Sequence, residues 1–300
     1  MYRSVFVPLD GSAFAEQALP FAASIARRAS ATLYIVHAHV TVASLYGGIE
    51  FGADLTLDTQ IRENEAAYLD GVVKRLTDNV PVRVSHMLIN GPVADALHEQ
   101  ALAAAADLVV MATHGRGPMS RFWLGGVADK LVRRLPMPVL LVRPQEQTPN
   151  LVTEVSLRRI LIPLDGSDLA EQIIGPATEL GNLMQAEYRL LRVVEPFMSP
   201  SHQLLVPLFD QLAREAQTYV DGVAKRLRGR SMSVKTSVVI NRFAAAAILE
   251  EALVHATDLI ALETQGRGGL GRLVLGSVAD KVVRGALTPV LVHRPVPKTK

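Results

Sequence analysis

Val7-Pro8-Leu9-Asp10-Gly11-Ser12 returns 155 residues later as Ile162-Pro163-Leu164-Asp165-Gly166-Ser167. Both stretches are followed, after two residues, by Ala-Glu-Gln (Ala15 to Gln17, Ala170 to Gln172). A short apolar run that stops at an Asp-Gly pair, with a serine opening a helical pattern, reads as a buried strand turning into a capped helix. Finding it twice makes the chain a tandem repeat.

Working outward, Tyr68-Leu-Asp-Gly-Val-Val-Lys-Arg-Leu76 recurs as Tyr219-Val-Asp-Gly-Val-Ala-Lys-Arg-Leu227, and Gly115-Arg116-Gly117 as Gly266-Arg267-Gly268. Leu124-Gly125-Gly126-Val127-Ala128-Asp129-Lys130 recurs as Leu275-Gly276-Ser277-Val278-Ala279-Asp280-Lys281. These later blocks are offset by 151, so the second copy is four residues shorter between Asp165 and Tyr219. The loop after the second strand is the expected place, because loops tolerate deletions. Copies of this length are whole domains, expected at 1–145 and 156–297, with a linker between Gln145 and Leu157.

Within copy 1, strands are expected at Ser4 to Leu9, Thr32 to Ala38, Val80 to Leu88, Asp107 to Thr113 and Pro138 to Val142. Helices are expected after Ser12 (apolar at Phe14, Ala18, Leu19, Ala22, Ile25 and Ala26), at roughly Thr59 to Leu76, at Val93 to Ala105 and at Gly126 to Arg134. This alternation predicts an α/β fold: two tandem five-stranded parallel sheets with helices on both faces. Apolar residues at 49% supply two cores, and a net charge of +2 gives no reason to expect nucleic acid or membrane as a partner. The chain has no cysteine, which excludes disulfides and thiolate metal sites. With no signal-like or membrane-length apolar segment in the sequence, a cytoplasmic protein is expected.

In open α/β sheets, ligands bind beyond the carboxyl ends of the strands where the winding reverses. Two glycine-bearing loops fall there in each copy: Asp10-Gly11-Ser12 (or Asp165-Gly166-Ser167), and the stretch from Ala112 to Gly126 (or Glu263 to Ser277). The second suits an anion. Its glycines let the backbone approach closely, the helix beginning at Gly126 or Ser277 offers free N–H groups, Arg116 and Arg267 add charge, and Ser277 adds a hydroxyl. Asp10 and Asp165 either close a turn or accept a donor from an adenine amine or a ribose hydroxyl. Ser12 and Ser167 read as helix caps, and Tyr68 and Tyr219 as helix packing.

Two familiar motifs fail. Gly266-Arg267-Gly268-Gly269-Leu270-Gly271 spells GxGxxG but follows the fourth strand, without the acid a dinucleotide fingerprint needs, and Ser120 breaks it in copy 1. Arg272 and Leu273 stand where a P-loop requires Lys and Ser/Thr. No H-E-x-x-H or G-x-S-x-G spacing occurs, so neither a dedicated metal site nor a hydrolase elbow is expected. His114 faces Gln265 in the other copy, and His37 and His39, which flank Ala38, face Arg192 and Val194. A catalytic histidine shared by both copies is therefore not expected.

These residues resemble the universal stress protein family. Its nucleotide-binding members carry G-x2-G-x9-G-(S/T) after strand 4, an Asp ending strand 1 and a P-x-D-(G)-S opening; tandem members are common. The resemblance spans nearly the whole of both copies and includes the final P-V-L-(L/V)-V. It implies a Rossmann-like, adenine nucleotide alpha hydrolase-like fold that binds ATP, with a divalent cation such as Mg2+. The contacts it implies are Asp10, Ala38, Ala112, His114, Gly115, Arg116, Gly117, Gly125, Gly126 and Val127 in copy 1. In copy 2 they are Asp165, Val193, Gly266, Arg267, Gly268, Gly276, Ser277 and Val278. It also implies pairing through the last strands, Pro138 to Val142 and Pro289 to Val292, giving an internal pseudo-dimer and allowing a homodimer.

Both copies depart from the motif. Copy 1 has Ala112 for the first glycine and Gly126 for the final hydroxyl; copy 2 keeps Gly266, Gly276 and Ser277 but has Glu263 first. A carboxylate there would repel phosphate unless a cation or Arg intervened, it turned outward, or it held a metal with the phosphates. Copy 1 is the favoured site. Three functions follow: a nucleotide-binding stress regulator with an unidentified protein partner, a scaffold that binds no nucleotide, or a weak ATPase, last because no acid, base or nucleophile pair recurs.

Overall fold

A computed structural model describes residues 2–41, 55–114, 124–145, 149–151, 154–196, 206–265 and 275–295. The chain divides into two compact units, Met1–Val155 and Ser156–Lys300.

In the first unit the elements run β1 (Ser4–Leu9), α1 (Ala13–Glu16), α2 (Leu19–Ala29), β2 (Thr32–His39), α3 (Leu55–Asn79), β3 (Arg83–Asn90), α4 (Val93–Ala103), β4 (Leu108–Ala112), α5 (Gly126–Arg134) and β5 (Val139–Val142). The strand order is β3-β2-β1-β4-β5, and every pairing in it is parallel. The winding reverses between β1 and β4. Both are buried along their length and almost wholly apolar because both faces are covered: Val5, Phe6, Val7, Leu108, Val109 and Val110 are fully buried. At the end of the order, β3 has no buried residue: Arg83, His86, Met87 and Asn90 are exposed and the rest half-buried.

The second unit repeats this with β6 (Arg159–Pro163), a 3-10 turn (Ala170–Ile173), α6 (Ile174–Met184), β7 (Glu187–Val194), α7 (Val206–Arg228), β8 (Val234–Ile240), α8 (Ala244–Val254), β9 (Leu259–Glu263), α9 (Ser277–Gly285) and β10 (Val290–His293). Its order is β10-β9-β6-β7-β8, again parallel.

One carboxylate ties the first and fourth strands at their amino-terminal ends. Asp107 Oδ2 accepts from the N–H groups of Arg3 and Ser4 at 2.6 and 3.0 Å; Asp258 Oδ2 does the same for Arg158 and Arg159 at 3.1 and 2.9 Å. The opposite ends are left for the glycine loops.

Three local expectations shift. The helix after Ser12 breaks into α1 and α2, because Pro20 cannot donate into a continuing ladder and instead sits in the first turn of α2; Phe14 is consequently 40% exposed. The third strand starts at Arg83 rather than Val80: the Val80 N–H still closes on Leu76 O at 2.7 Å, and Pro81 has no N–H for a ladder. The helix expected at Thr59 to Leu76 runs Leu55–Asn79. Segment 40–54 in the first unit is four residues longer than 195–205 in the second, so the deletion falls after the second strand.

Candidate functional site

The first loop is built by its own side chains. The Ser12 N–H and hydroxyl both donate to Asp10 Oδ1 at 2.9 and 2.6 Å, and Ser12 Oγ accepts from the Ala15 N–H at 3.1 Å. Gly11 takes φ 81°, where a side chain would be strained. Copy 2 repeats this with Ser167, Asp165 and Ala170 at 2.9, 2.6 and 3.1 Å and Gly166 at φ 86°. The turn therefore holds each aspartate at the mouth of the sheet while the serine caps.

The second loop is closed at its root. The Thr113 N–H donates to Val142 O at 2.8 Å, and Gly125, on the returning chain, donates its N–H to Thr113 O at 2.8 Å. In copy 2, Thr264 donates to His293 O at 2.8 Å and Gly276 to Thr264 O at 2.7 Å. A Cβ on Gly125 would stand 3.2 Å from Thr113 O, and one on Gly276 3.1 Å from Thr264 O, so the close return favours glycine. The helices begin at once, at Gly126 and Ser277, with no side chain capping their N-terminal N–H groups. Those uncapped donors, with Val127 and Val278 in the first turn, face the end of the sheet's fourth strand, as an anion site requires. Gly115, Arg116, Gly117, Gly266, Arg267 and Gly268 lie outside the described residues.

The remaining predicted residues sit around this opening. Ala112 ends β4 and is buried; His114 follows, its Nδ1 2.8 Å from Thr113 Oγ1. Ala38 and Val193 occupy matching places near the ends of β2 and β7, and His37, beside Ala38, pairs in register with Leu9 just before Asp10.

A repeated cluster escaped the sequence reading. Arg75 Nη2 grips both oxygens of Glu16 at 2.9 and 3.0 Å, with Glu16 buried; in copy 2 Arg226 holds Glu171. Tyr68 and Tyr219 belong here as well as to helix packing. Burial first, then Glu16 and Asp10, hold the Tyr68 hydroxyl protonated well above the usual phenol range; burial, then Glu171 and Asp165, do so for Tyr219. The signal was present, because Ala-Glu-Gln and Tyr…Lys-Arg are both among the repeated blocks, but nothing local says they meet across 59 residues.

Copy 1 alone carries a histidine network. His39 is fully buried, with Nδ1 2.6 Å from Glu65 Oε2 and Nε2 3.3 Å from Asp58 Oδ2; His37 Nε2 lies 3.3 Å from Glu65 Oε1. Both ring nitrogens of His39 thus lie within hydrogen-bonding distance of a carboxylate oxygen, one from each of two turns of α3. The four counterparts in copy 2, Arg192, Val194, Phe209 and Ala216, lack the network as a set.

Copy 2 has its own departure. Glu263 ends β9 and turns inward, not outward: its side chain is 1% exposed, and Oε1 lies 2.8 Å from His293 Nδ1, its register partner on β10. Oε2 is buried without a hydrogen bond. Burial pushes this carboxyl up to about 7, against the opposing pull of His293. In copy 1 the matching register pair is Ala112 and Val142. Among the described residues, no group of three or more His, Cys, Asp or Glu side chains is arranged to hold a metal ion, and no helix is long and apolar enough to cross a membrane.

Comparison with known proteins agrees with the duplication. The model of the universal stress protein family matches residues 1–143 and again 156–294. A universal stress protein of Thermus aquaticus is 33% identical over 146 residues, which are 48% of this chain and 100% of that relative. The crystal structure of a universal stress protein from Archaeoglobus fulgidus superposes with a TM-score of 0.69 over 99% of this chain and 97% of its own, at 13% identity. A putative universal stress protein from Pseudomonas aeruginosa gives 0.67 over 98% and 94%, at 18% identity. At those identities the two structures speak for the fold alone.

Proposed function

The chain belongs to the universal stress protein family, matched across both copies, and we propose that it is a stress-response regulator that binds adenine nucleotide, ATP in the first instance, where β1 meets β4. The observation that carries the reading is the loop closure: Gly125 donates to Thr113 O beside an uncapped helix start, across from the Asp10 turn, and copy 2 repeats the arrangement. Phosphates would take the N–H groups of Gly126 and Val127 in copy 1, and of Ser277 and Val278 in copy 2. Adenine and ribose would lie toward Asp10 and Ala38, or Asp165 and Val193. Ala112 is a mild replacement for glycine, so copy 1 is the principal site. A cation such as Mg2+ would arrive on the phosphates. Occupancy would bias pairing of the copies through their last strands, or of two chains, and so the protein partner; turnover is not part of the reading.

The test is the nucleotide released on denaturing gently purified protein, quantified by chromatography. About one to two adenine nucleotides per chain are expected, by the site count above. The control is Gly126→Asp: a Cβ there meets nothing within 4 Å, and an acid at a helix start is favourable, so the fold should hold. The same carboxylate would compete with phosphate and weaken copy 1 binding by roughly tenfold or more. Wild-type protein that neither carries ATP nor takes it up with magnesium would refute the reading in favour of a scaffold.

A further inference from the structure

We infer that copy 2 is a proton-gated version of the site, receiving an anionic nucleotide only while the Glu263–His293 pair holds a proton. The inference rests on the nucleotide-binding reading above and adds a regulator to it.

Glu263 is placed to govern the loop. It ends β9, and the next residue, Thr264, offers the carbonyl on which Gly276, the start of α9, is hung at 2.7 Å. The carboxyl therefore sits one residue before the carbonyl that anchors the start of α9, whose first N–H groups would take the phosphate. It is 1% exposed, one oxygen meets His293 at 2.8 Å, and the other has no partner. A side chain buried in this way cannot turn to water when a phosphate arrives.

The charge of the pair is what a nucleotide would meet. With one proton between them, Glu263 and His293 sum to zero, whether as acid and neutral imidazole or as carboxylate and imidazolium. Losing that proton leaves a bare buried carboxylate beside the loop, and an anion then costs more to bind. Burial already favours keeping the proton, holding Glu263 near 7.

The charged groups nearby do not take over this task. Just past the end of β10, Arg294 follows His293 and has an interaction of its own. From the 3-10 turn, Glu171 is tied to Arg226, and beyond β6 Asp165 Oδ1 is occupied by Ser167. Among the described residues, His293 is the titratable group that acts on Glu263. Copy 1 is a built-in control, since Ala112 and Val142 stand in the same register and carry no charge.

The experiment is equilibrium dialysis of the full chain with ATP and magnesium at pH 6 and pH 8, with 8-azido-ATP crosslinking and peptide mapping to assign each bound nucleotide to its copy. Wild type should fill both copies at pH 6 and copy 1 alone at pH 8, with copy 2 affinity falling about tenfold per pH unit above the pair's titration. Glu263→Gln, and the double variant Glu263→Ala/His293→Val that restores the copy 1 pair, should fill copy 2 at both values. Copy 2 labelling in wild type that is equal at the two pH values, or that stays absent at pH 8 in both variants with their thermal melts intact, overturns the inference while copy 1 binding upholds the reading beneath it. No nucleotide in either copy at either pH overturns both.

Discussion

Glu263 is worth more to the fold protonated than ionised, and this gives stability a pH dependence. Its carboxyl is raised from 4.5 to about 7, chiefly by burial. Between those values the folded chain holds a proton that the unfolded chain has released. The contribution is therefore fully present below pH 4.5 and lost as pH rises through 7. The full swing, with the opposing pull of His293 already in it, is on the order of 3 kcal/mol. The thermal midpoint of wild type, measured against Glu263→Ala/His293→Val, should fall between pH 5 and pH 8; a constant difference would show that the carboxyl does not titrate there. Glu263 was legible in the sequence as a misfit in its motif. Its partner was not, because nothing in residues 263 to 293 announces that β9 and β10 lie in a register that sets the two side by side. His37 and His39 were noticed for flanking Ala38, yet the carboxylates that hold them come from a helix whose rotation about its axis only packing decides.

At the scale of elements, pattern reading did best where one force dominates. The central strands β1 and β4 are buried along their whole length, and α5 begins at the glycine where the motif placed it. It did less well where a proline competes with periodicity, as at Pro20 and Pro81. Packing between elements leaves a further trace in the duplication. Gly181 on α6 lies against Tyr188 on β7, and a Cβ at 181 would stand 2.2 Å from the tyrosine hydroxyl. The corresponding residues in copy 1 are Ala26 and Leu33, so one copy places its volume on the helix and the other on the strand. Gly181→Ala should thus destabilise by about 1–3 kcal/mol through overpacking, even against the roughly 1 kcal/mol that alanine contributes within a helix. Adding Tyr188→Leu should restore most of that loss in urea melts. If Gly181→Ala alone proved stabilising, the hydroxyl would have room the structure does not show.

Across the whole molecule, one scaffold carries two different polar fillings. The backbone devices recur in both copies: the Asp-Gly-Ser turn, the Asp107 and Asp258 ties, and the glycine return onto a threonine carbonyl. The charges packed behind them do not recur. Copy 1 buries His37 and His39 against Glu65 and Asp58, and copy 2 buries Glu263 against His293. On the proposed reading these shared backbone devices would let both copies receive a nucleotide, and the buried Glu263–His293 pair would set the condition under which copy 2 does so. Mass action then makes a prediction about where stability appears. A nucleotide at about 100 times its dissociation constant stabilises the copy it occupies by about 2.7 kcal/mol and leaves an empty one unchanged. At pH 8, ATP with magnesium should slow amide hydrogen exchange at Asp10 to Ser12, at Thr113 and His114, and at Gly125 to Val127. Exchange should be unaffected at Asp165 to Ser167, at Thr264 and Gln265, and at Gly276 to Val278. Equal protection in the two halves would mean that the buried charges have no say in occupancy, and that the duplicated backbone alone decides it.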